Sequence, residues 1–461
     1  MSFTFVDLFA GIGGFHGALS ALGGKCVYAS EIDKNASRIY LRNWGLAPDG
    51  DITRSANDFN MDVPDHDILV GGFPCQPFSK SGKQLGMEET RGTLFWNITQ
   101  IIKIRKPKIV LLENVRNIAG PRHAHEWKII IKTLRNLGYR VSEIPFVVSP
   151  HKIHPLNGGR PQVRERIFIC ATLIPPNTKP NKSDPGLPNI NSFYSKWDIN
   201  SWVLSKHLPT EKRMSKNLLG VHKVSQQENL WIDAWDDFVR SFRREFPDEK
   251  LPGFPIWVDS WTETKSLKIP RNTPKWKKSF LLKNSEFYTS HKSFLKKWLK
   301  KWDNLNNFPP SRRKFEWQAK ECNSIDETIL HLRPSGIRCK PASYAPALVA
   351  ITQTSIIGKT RRKLTVREAA RLQGFPEWFD FLDQPKSLSY KQLGNAVNIG
   401  VVYNVLKAQI MRDIDLLGNH DILVTQILSS PLDPYQKIME FGDHNIRLKE
   451  KVDRSHLRVV S

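Results

Sequence analysis

Six apolar runs of strand length, separated by stretches with helical spacing, leave this chain few folds to adopt. The runs are Phe3–Phe9, Cys26–Ser30, Asp67–Gly71, Ile109–Leu112, Tyr139–Val148 and Arg166–Leu173. Between them, Asp33–Asn43, Leu94–Ile104 and His125–Leu137 carry apolar side chains three and four positions apart, the period of a half-buried helix. Repeated strand, helix, strand predicts an α/β domain built on a mostly parallel sheet with helices on both faces. PPNTKPNKSDPG at 175–186 breaks the pattern and predicts a linker, because proline, asparagine and glycine crowd there. Residues 187–355 read differently, with frequent tryptophan and cations mixed among aromatics. Regular order returns near Leu364, where LTVREAARL reads as one helix and GNAVNIGVVYNVLKAQIMRDI as a second. The expected division is a first domain over 1–174 completed by 360–415, a smaller inserted domain over 187–355, and an extension over 416–461 that carries no interpretable motif.

Charge narrows the partners. The 461 residues hold 69 Lys+Arg against 45 Asp+Glu, a formal net charge of +24. Such an excess suits a polyanion, nucleic acid first, although a basic solvated surface reads the same way. The bias is strongest from Trp261 to Lys320, with 16 Lys+Arg against 4 Asp+Glu. Within it, KSFLKKWLKKW puts Phe294, Leu295, Trp298, Leu299 and Trp302 on one helical face, a pattern that fits core packing better than contact with bases. Five scattered cysteines (Cys26, Cys75, Cys170, Cys322, Cys339) include no C-x-x-C pair, so neither a zinc site nor a disulfide framework is expected and metal is expected to play no part. The start of the chain lacks a basic segment followed by an apolar run, and no stretch of about 18 apolar residues is present. A cytoplasmic protein without a membrane span is the expectation.

Three places carry chemistry. Phe5–Phe9 runs into AGIGGF, and a strand feeding a glycine-rich turn and a helix is a common nucleotide-type site, since glycine lets the backbone approach a ligand. Glu31 follows Gly11 by 20 positions, the interval at which an acidic residue bonds ribose hydroxyls. No lysine follows the glycines, which favours a ligand with a ribose and no phosphates, such as S-adenosylmethionine; a tight packing turn is the plainer reading. Next, Cys75 sits in GGFPCQPFS, past a third strand. Two glycines and two prolines make a stiff turn unlike a core position, at the sheet edge where open α/β folds bind ligands. Third, Glu113 and Asn114 end the fourth run, and QVRER sets Gln162, Arg164 and Arg166 at alternate positions. On a strand those two guanidiniums share a face. A helix cap for Glu113 and a surface ion-pair face for the arginines remain open.

In order, DLFAGIGGF, FPCQPFS, ENV, QVRERIF, RLQGFP and GNAV resemble the bacterial cytosine-5 DNA methyltransferases over residues 3–173 and 360–410. The resemblance implies a Rossmann-like S-adenosylmethionine-dependent domain with an inserted target-recognition domain at 187–355. It implies cofactor contacts from Phe9, Gly11, Ile12, Gly13, Glu31, Ile32, Asp51, Ile52, Pro74, Leu94 and Asn395. Cys75 would be the nucleophile, Glu113 would contact the flipped cytosine, and Arg164 and Arg166 would hold the base. Gln76, Ser79, Ser81 and Gln162 would touch DNA, and Ser79–Gly92 would be a loop that closes on it. The implied partner is double-stranded DNA, acted on by a monomer, with a cognate restriction endonuclease sharing the site without a stable complex. Two other readings stay open: the same chemistry on RNA, and a DNA-binding module that has lost catalysis.

Overall fold

The computed structural model describes residues 2–74, 93–176, 178, 184–190, 198–208, 214–348 and 354–441. Cys75, Gln76, Ser79 and Ser81 lie outside the described residues, as do the rest of Ser79–Gly92 and parts of 175–186. The chain divides into two compact units, one drawn from Met1–Asn200, Ala347–Ala350 and Ala369–Ser461, the other from Ser201–Pro346 and Ile351–Glu368.

In the first unit β1 (Thr4–Leu8), β2 (Lys25–Ser30), β3 (Ile68–Gly72) and β4 (Ile109–Val115) run parallel. β3 and β4 are apolar and buried for nearly their whole length, as strands covered on both faces must be. β5 (Tyr139–Arg140), β6 (Phe146–Val148) and β7 (Arg166–Leu173) extend the sheet to the order β2-β1-β3-β4-β7-β5, with β6 also on β7. β7 pairs antiparallel with β4, β5 and β6. The expected single strand Tyr139–Val148 is therefore two. Between them Asp184 draws the chain away from the ladder, accepting from Glu143 N at 2.7 Å and Ser142 Oγ at 2.8 Å, and Pro145 has no N–H to donate.

The covering helices are α1 (Gly14–Ala21), α2 (Lys34–Trp44), α3 (Leu94–Arg105) and α4 (Ala124–Asn136). Asp33 caps α2 by accepting from Asn35 N and Ala36 N, and Thr93 caps α3. Leu69, Val110 and Leu112 of the sheet pack with Phe95, Ile98 and Ile102 of α3 and Ile130 and Leu134 of α4. The strand order puts β1 between β2 and β3, so the crevice at the carboxyl ends of β1 and β3 is the topological switch point where open α/β sheets take ligands.

Helices Lys386–Asn395, Ile399–Arg412 and Ile422–Ser429 belong to this same unit. The expected continuous helix from GNAV onward is broken at 396–398, where Asn398 caps the second piece by accepting from Val401 N at 3.0 Å. Gln409 Nε2 donates to Ala171 O of β7 at 3.0 Å, and Gln426 Nε2 to Gly23 O at 2.9 Å. Residues 416–441, part of the expected extension, pack into the first unit.

The second unit has its own sheet. β8 (Ile256–Trp257), β9 (Lys314–Trp317), β10 (Thr328–Arg333), β11 (Gly336–Pro341), β12 (Ile356–Ile357) and β13 (Arg362–Lys363) lie in the order β13-β12-β10-β11-β9-β8. Three helices, α5 (Gln226–Glu245), α6 (Lys275–Ser290) and α7 (Lys292–Lys301), supply the apolar partners. Trp235 of α5 stacks on Phe315 of β9 with ring centroids 4.6 Å apart. Phe294, Leu295 and Trp298 of α7 are buried in the same core, as the spacing of KSFLKKWLKKW predicts. Among the described residues no helix is long and apolar enough to cross a membrane, and no group of His, Cys, Asp and Glu is placed to hold a metal ion.

Candidate active site

Beyond β1 the chain turns tightly before α1 begins. Phe9 (φ +55°), Gly11 (φ +56°) and Gly13 (φ +88°) all take left-handed backbone. Glycine enters that region freely, whereas an L side chain there costs roughly 1–2 kcal/mol; Phe9 bears that strain. Gly13 is needed twice over, because a Cβ would stand 2.0 Å from Trp44 Nε1. That indole, at the end of α2, donates to Ile12 O at 3.0 Å and stacks on His16, so it floors the turn. Glu31 follows β2. Its Oε2 accepts from Gly11 N and its Oε1 from Asp33 N, both at 2.8 Å. Burial raises the Glu31 pKa, and the Asp33 and Gly11 N–H groups oppose the rise.

At the end of β4, in register with Gly72 of β3, stands Glu113, only 8% exposed. Arg166, the first residue of β7, meets it with Nε 2.9 Å from Oε1. Burial raises the Glu113 pKa; Arg166 and then Arg164 act against that. Asn114 beside it donates from Nδ2 to Phe73 O at 2.8 Å and accepts from Val115 N at 2.8 Å. It therefore pins the segment Phe73–Pro74 that leads directly into Cys75.

These pieces line one cavity of about 500 Å³. Of the expected residues it gathers Phe9, Gly11, Glu31, Ile32, Pro74, Leu94, Glu113, Arg166 and Asn395. Ile32, an apolar member of the lining, stands 72% exposed beside Glu31. Asp33, Phe73, Asn114, Lys391 and Val397 line it as well. Of these, Asp33 could have been singled out, as the cap preceding a helical period, and Val397 stands in GNAV; nothing local marks Lys391.

Other expected residues sit elsewhere. Ile12 is buried behind the turn. Asp51 caps the short helix Ile52–Ser55 by accepting from Thr53 N and Oγ1, and Ile52 is buried. Neither lines the cavity. Arg164 lies between the short strand Gln162–Val163 and β7, and its guanidinium and that of Arg166 both act on Glu113. Arg164 is buried and donates to Leu348 O (2.9 Å), Gly394 O (2.8 Å) and Ala396 O (2.9 Å), which clamps the turn carrying Asn395. Burial pulls its pKa down to about 9, with Arg166 adding to the pull and Glu113 opposing it, so at neutral pH it is a cation held by carbonyl dipoles. Gln162 is fully buried, and neither atom of its amide has a partner among the described residues. Cys75, Gln76, Ser79 and Ser81 lie outside the described residues.

A family model described as "C-5 cytosine-specific DNA methylase" matches residues 3–411. The chain is 43% identical to the Type II methyltransferase M.AluI of Cellulosimicrobium cellulans, over 90% of this chain and 93% of that one. It is 29% identical to the Type II methyltransferase M.HhaI of Haemophilus parahaemolyticus, over 87% and 93% respectively. A crystal structure of S. pombe Dnmt2 methyltransferase is 17% identical over 89% of this chain and 98% of that one, with a TM-score of 0.46.

Proposed function

This chain belongs to the C-5 cytosine-specific DNA methylase family, and on that premise we propose that Cys75 attacks a cytosine extruded from duplex DNA, with Glu113 as its partner on the ring. The protein is a DNA (cytosine-5)-methyltransferase of the Type II restriction-modification kind, which implies an S-adenosylmethionine-type methyl donor. The cavity suits such a donor. Glu31 keeps a carboxylate beside glycine backbone, Ile32 offers an apolar side chain, and the lining at that end (Phe9, Ala10, Gly11, Glu31, Ile32, Asp33, Ala36) holds no cation for a phosphate. When bound, the donor supplies an electrophilic methyl group on a sulfonium.

The residues divide the labour by charge. Phe9 and Gly11 bring backbone to the donor, and Glu31 accepts from ribose hydroxyls. Carbon 5 of cytosine is a poor nucleophile, and addition of the Cys75 thiolate at carbon 6 makes the ring enamine-like, one hard step divided into easier ones. Negative charge appears on the ring as the C–S bond forms. Glu113, whose pKa is raised by burial, can share a proton with the ring nitrogen and stabilise that charge, while Arg166 fixes its orientation. Carbon 5 takes the methyl group, its proton leaves to a base, and the C–S electrons return to sulfur. Both target atoms are stacked inside a duplex, so the base is extruded at a cost of a few kcal/mol. A restriction endonuclease sharing the same site, and action as a monomer, complete the proposal.

The single observation that carries this reading is the buried Glu113–Arg166 pair one strand away from the pinned Phe73–Pro74 segment that precedes Cys75. Duplex oligonucleotides with 5-fluorocytosine at the recognised position block the proton loss. A denaturation-resistant protein–DNA adduct is expected with the native chain and not with Cys75→Ala; its absence from the native chain sinks the mechanism.

A further inference from the structure

The hairpin β10–β11 of the second unit has two unlike faces. Leu330, Ile337 and Cys339 point into the aromatic core. At alternate positions stand His331 and Arg333 on β10, and Arg338 and Lys340 on β11, with His331 opposite Arg338. β9 pairs parallel with β11 and sets Glu316 in register with Arg338. Arg333, Arg338 and Lys340 are all half-buried, and burial followed by mutual repulsion lowers the pKa of Arg333 and of Lys340. His331 brings no charge, since burial and these same cations push its pKa down to about 3. The carboxylate that acts on both Arg333 and Lys340 is Glu316.

Glu316 is committed to Arg338, accepting from its Nε at 2.6 Å, and its other oxygen accepts from Gln318 Nε2. A guanidinium held at Nε has a fixed plane. Among the described residues the two Nη atoms of Arg338, and the side chains of Arg333 and Lys340, have no hydrogen-bond or ion-pair partner. Arg338 and Glu316 line a groove of about 720 Å³ with Phe254, Phe280 and Lys283, and Trp276, 61% exposed, stands edge-on to Phe280. Three close cations against one spoken-for carboxylate is a surface lacking an anion. The free Nη edge of an oriented arginine is the shape that donates twice to the O6 and N7 of guanine in a major groove.

We propose that Arg338 reads a guanine of the recognised duplex sequence, with Glu316 and Gln318 fixing its guanidinium and Arg333 and Lys340 contacting the flanking phosphates. This rests on the preceding section only in taking duplex DNA as the substrate. The test incubates the full-length chain and three variants with a random-sequence duplex library and reads methylated sites by bisulfite sequencing. The native chain is expected to give a motif containing guanine. Arg338→Lys keeps the charge and loses the fork, so preference at one guanine should fall about 5–150-fold, the 1–3 kcal/mol of a bidentate pair, with other positions unchanged. Glu316→Ala should weaken preference at that same position. The double variant Arg333→Ala/Lys340→Ala should keep the motif, bind all duplexes more weakly, and shallow the log K against log salt slope by about 2.

An unchanged motif in Arg338→Lys overturns the proposal, as does a change of motif in the double variant. Should Arg338→Lys fail to fold, Glu316→Ala decides by the same position. Native protein that methylates a motif without guanine removes the proposal and leaves the catalytic reading intact. Native protein that neither methylates nor forms the fluorocytosine adduct removes both.

Discussion

The cavity of the first unit and the hairpin face of the second are both polar, and they treat charge in opposite ways. In and beside the cavity, Glu31, Glu113 and Arg164 are each matched. Glu31 holds two backbone N–H groups, Glu113 holds Arg166, and Arg164 holds three carbonyls. On the hairpin, Arg333, Arg338 and Lys340 share Glu316. A matched site is preorganised: its dipoles are already aimed, so a small ligand and a developing charge meet little reorganisation. An unmatched cationic face gains its compensation from outside, as a polyanion demands.

That contrast is sharpest where the largest effect is expected. Cys75→Ala should lower turnover by at least about 10³-fold, the scale of losing a nucleophile, with DNA affinity and its salt slope retained; a single-turnover rate less than about 10³-fold below native would break it. Glu113→Gln should cost roughly 10²–10³-fold in kcat, as for one donor to a developing charge. Its pH profile carries a sign. Burial raises the Glu113 pKa, so the proton it lends is lost as pH climbs through that raised value, and the native rate per bound complex should fall there. The glutamine variant should lack that inflection, and a profile that keeps it assigns the inflection to another group.

Smaller changes probe the cofactor end. Glu31→Ala removes charged hydrogen bonds worth about 1.5–3 kcal/mol, so the Michaelis constant for S-adenosylmethionine should rise about 10–100-fold with DNA affinity unchanged. A parallel loss of DNA affinity would blur the division between the two regions. Gly13→Ala forces an L side chain into φ +88° against Trp44. A cost of at least roughly 1–2 kcal/mol should appear as a lower melting temperature, and as weaker cofactor binding in calorimetry.

Much of the cavity was legible in advance because its signals are local. A glycine turn after an apolar strand, an acid 20 positions on, and a Glu-Asn pair ending another strand mark the ends of β1, β2 and β4, and those ends meet in one crevice. Asp51 in GDIT finds a partner two residues away, at Thr53, and caps a helix, a contact contained in the local window. For the arginines, spacing leaves the partners open: Arg166 begins β7 and meets Glu113, while Arg164 donates to three carbonyls. The cation-rich stretch of the second unit announced its charge without its geometry, since pairing of Glu316 with Arg338 needs two strands 22 residues apart to lie side by side.

Apolar period, glycine placement and proline breaks belonged to the sequence alone, because burial and backbone dihedrals are decided within a few residues. They were enough for the parallel core, the helices against it and the core-facing side of α7. Tertiary contact decided the rest: that Asp184 splits a strand, that Trp44 lies beneath Gly13, and that Arg164 grips carbonyls of Gly394 and Ala396, some 230 residues on. A buried guanidinium or carboxylate takes whichever partner the folded chain brings to it, and no window of neighbouring residues contains that partner.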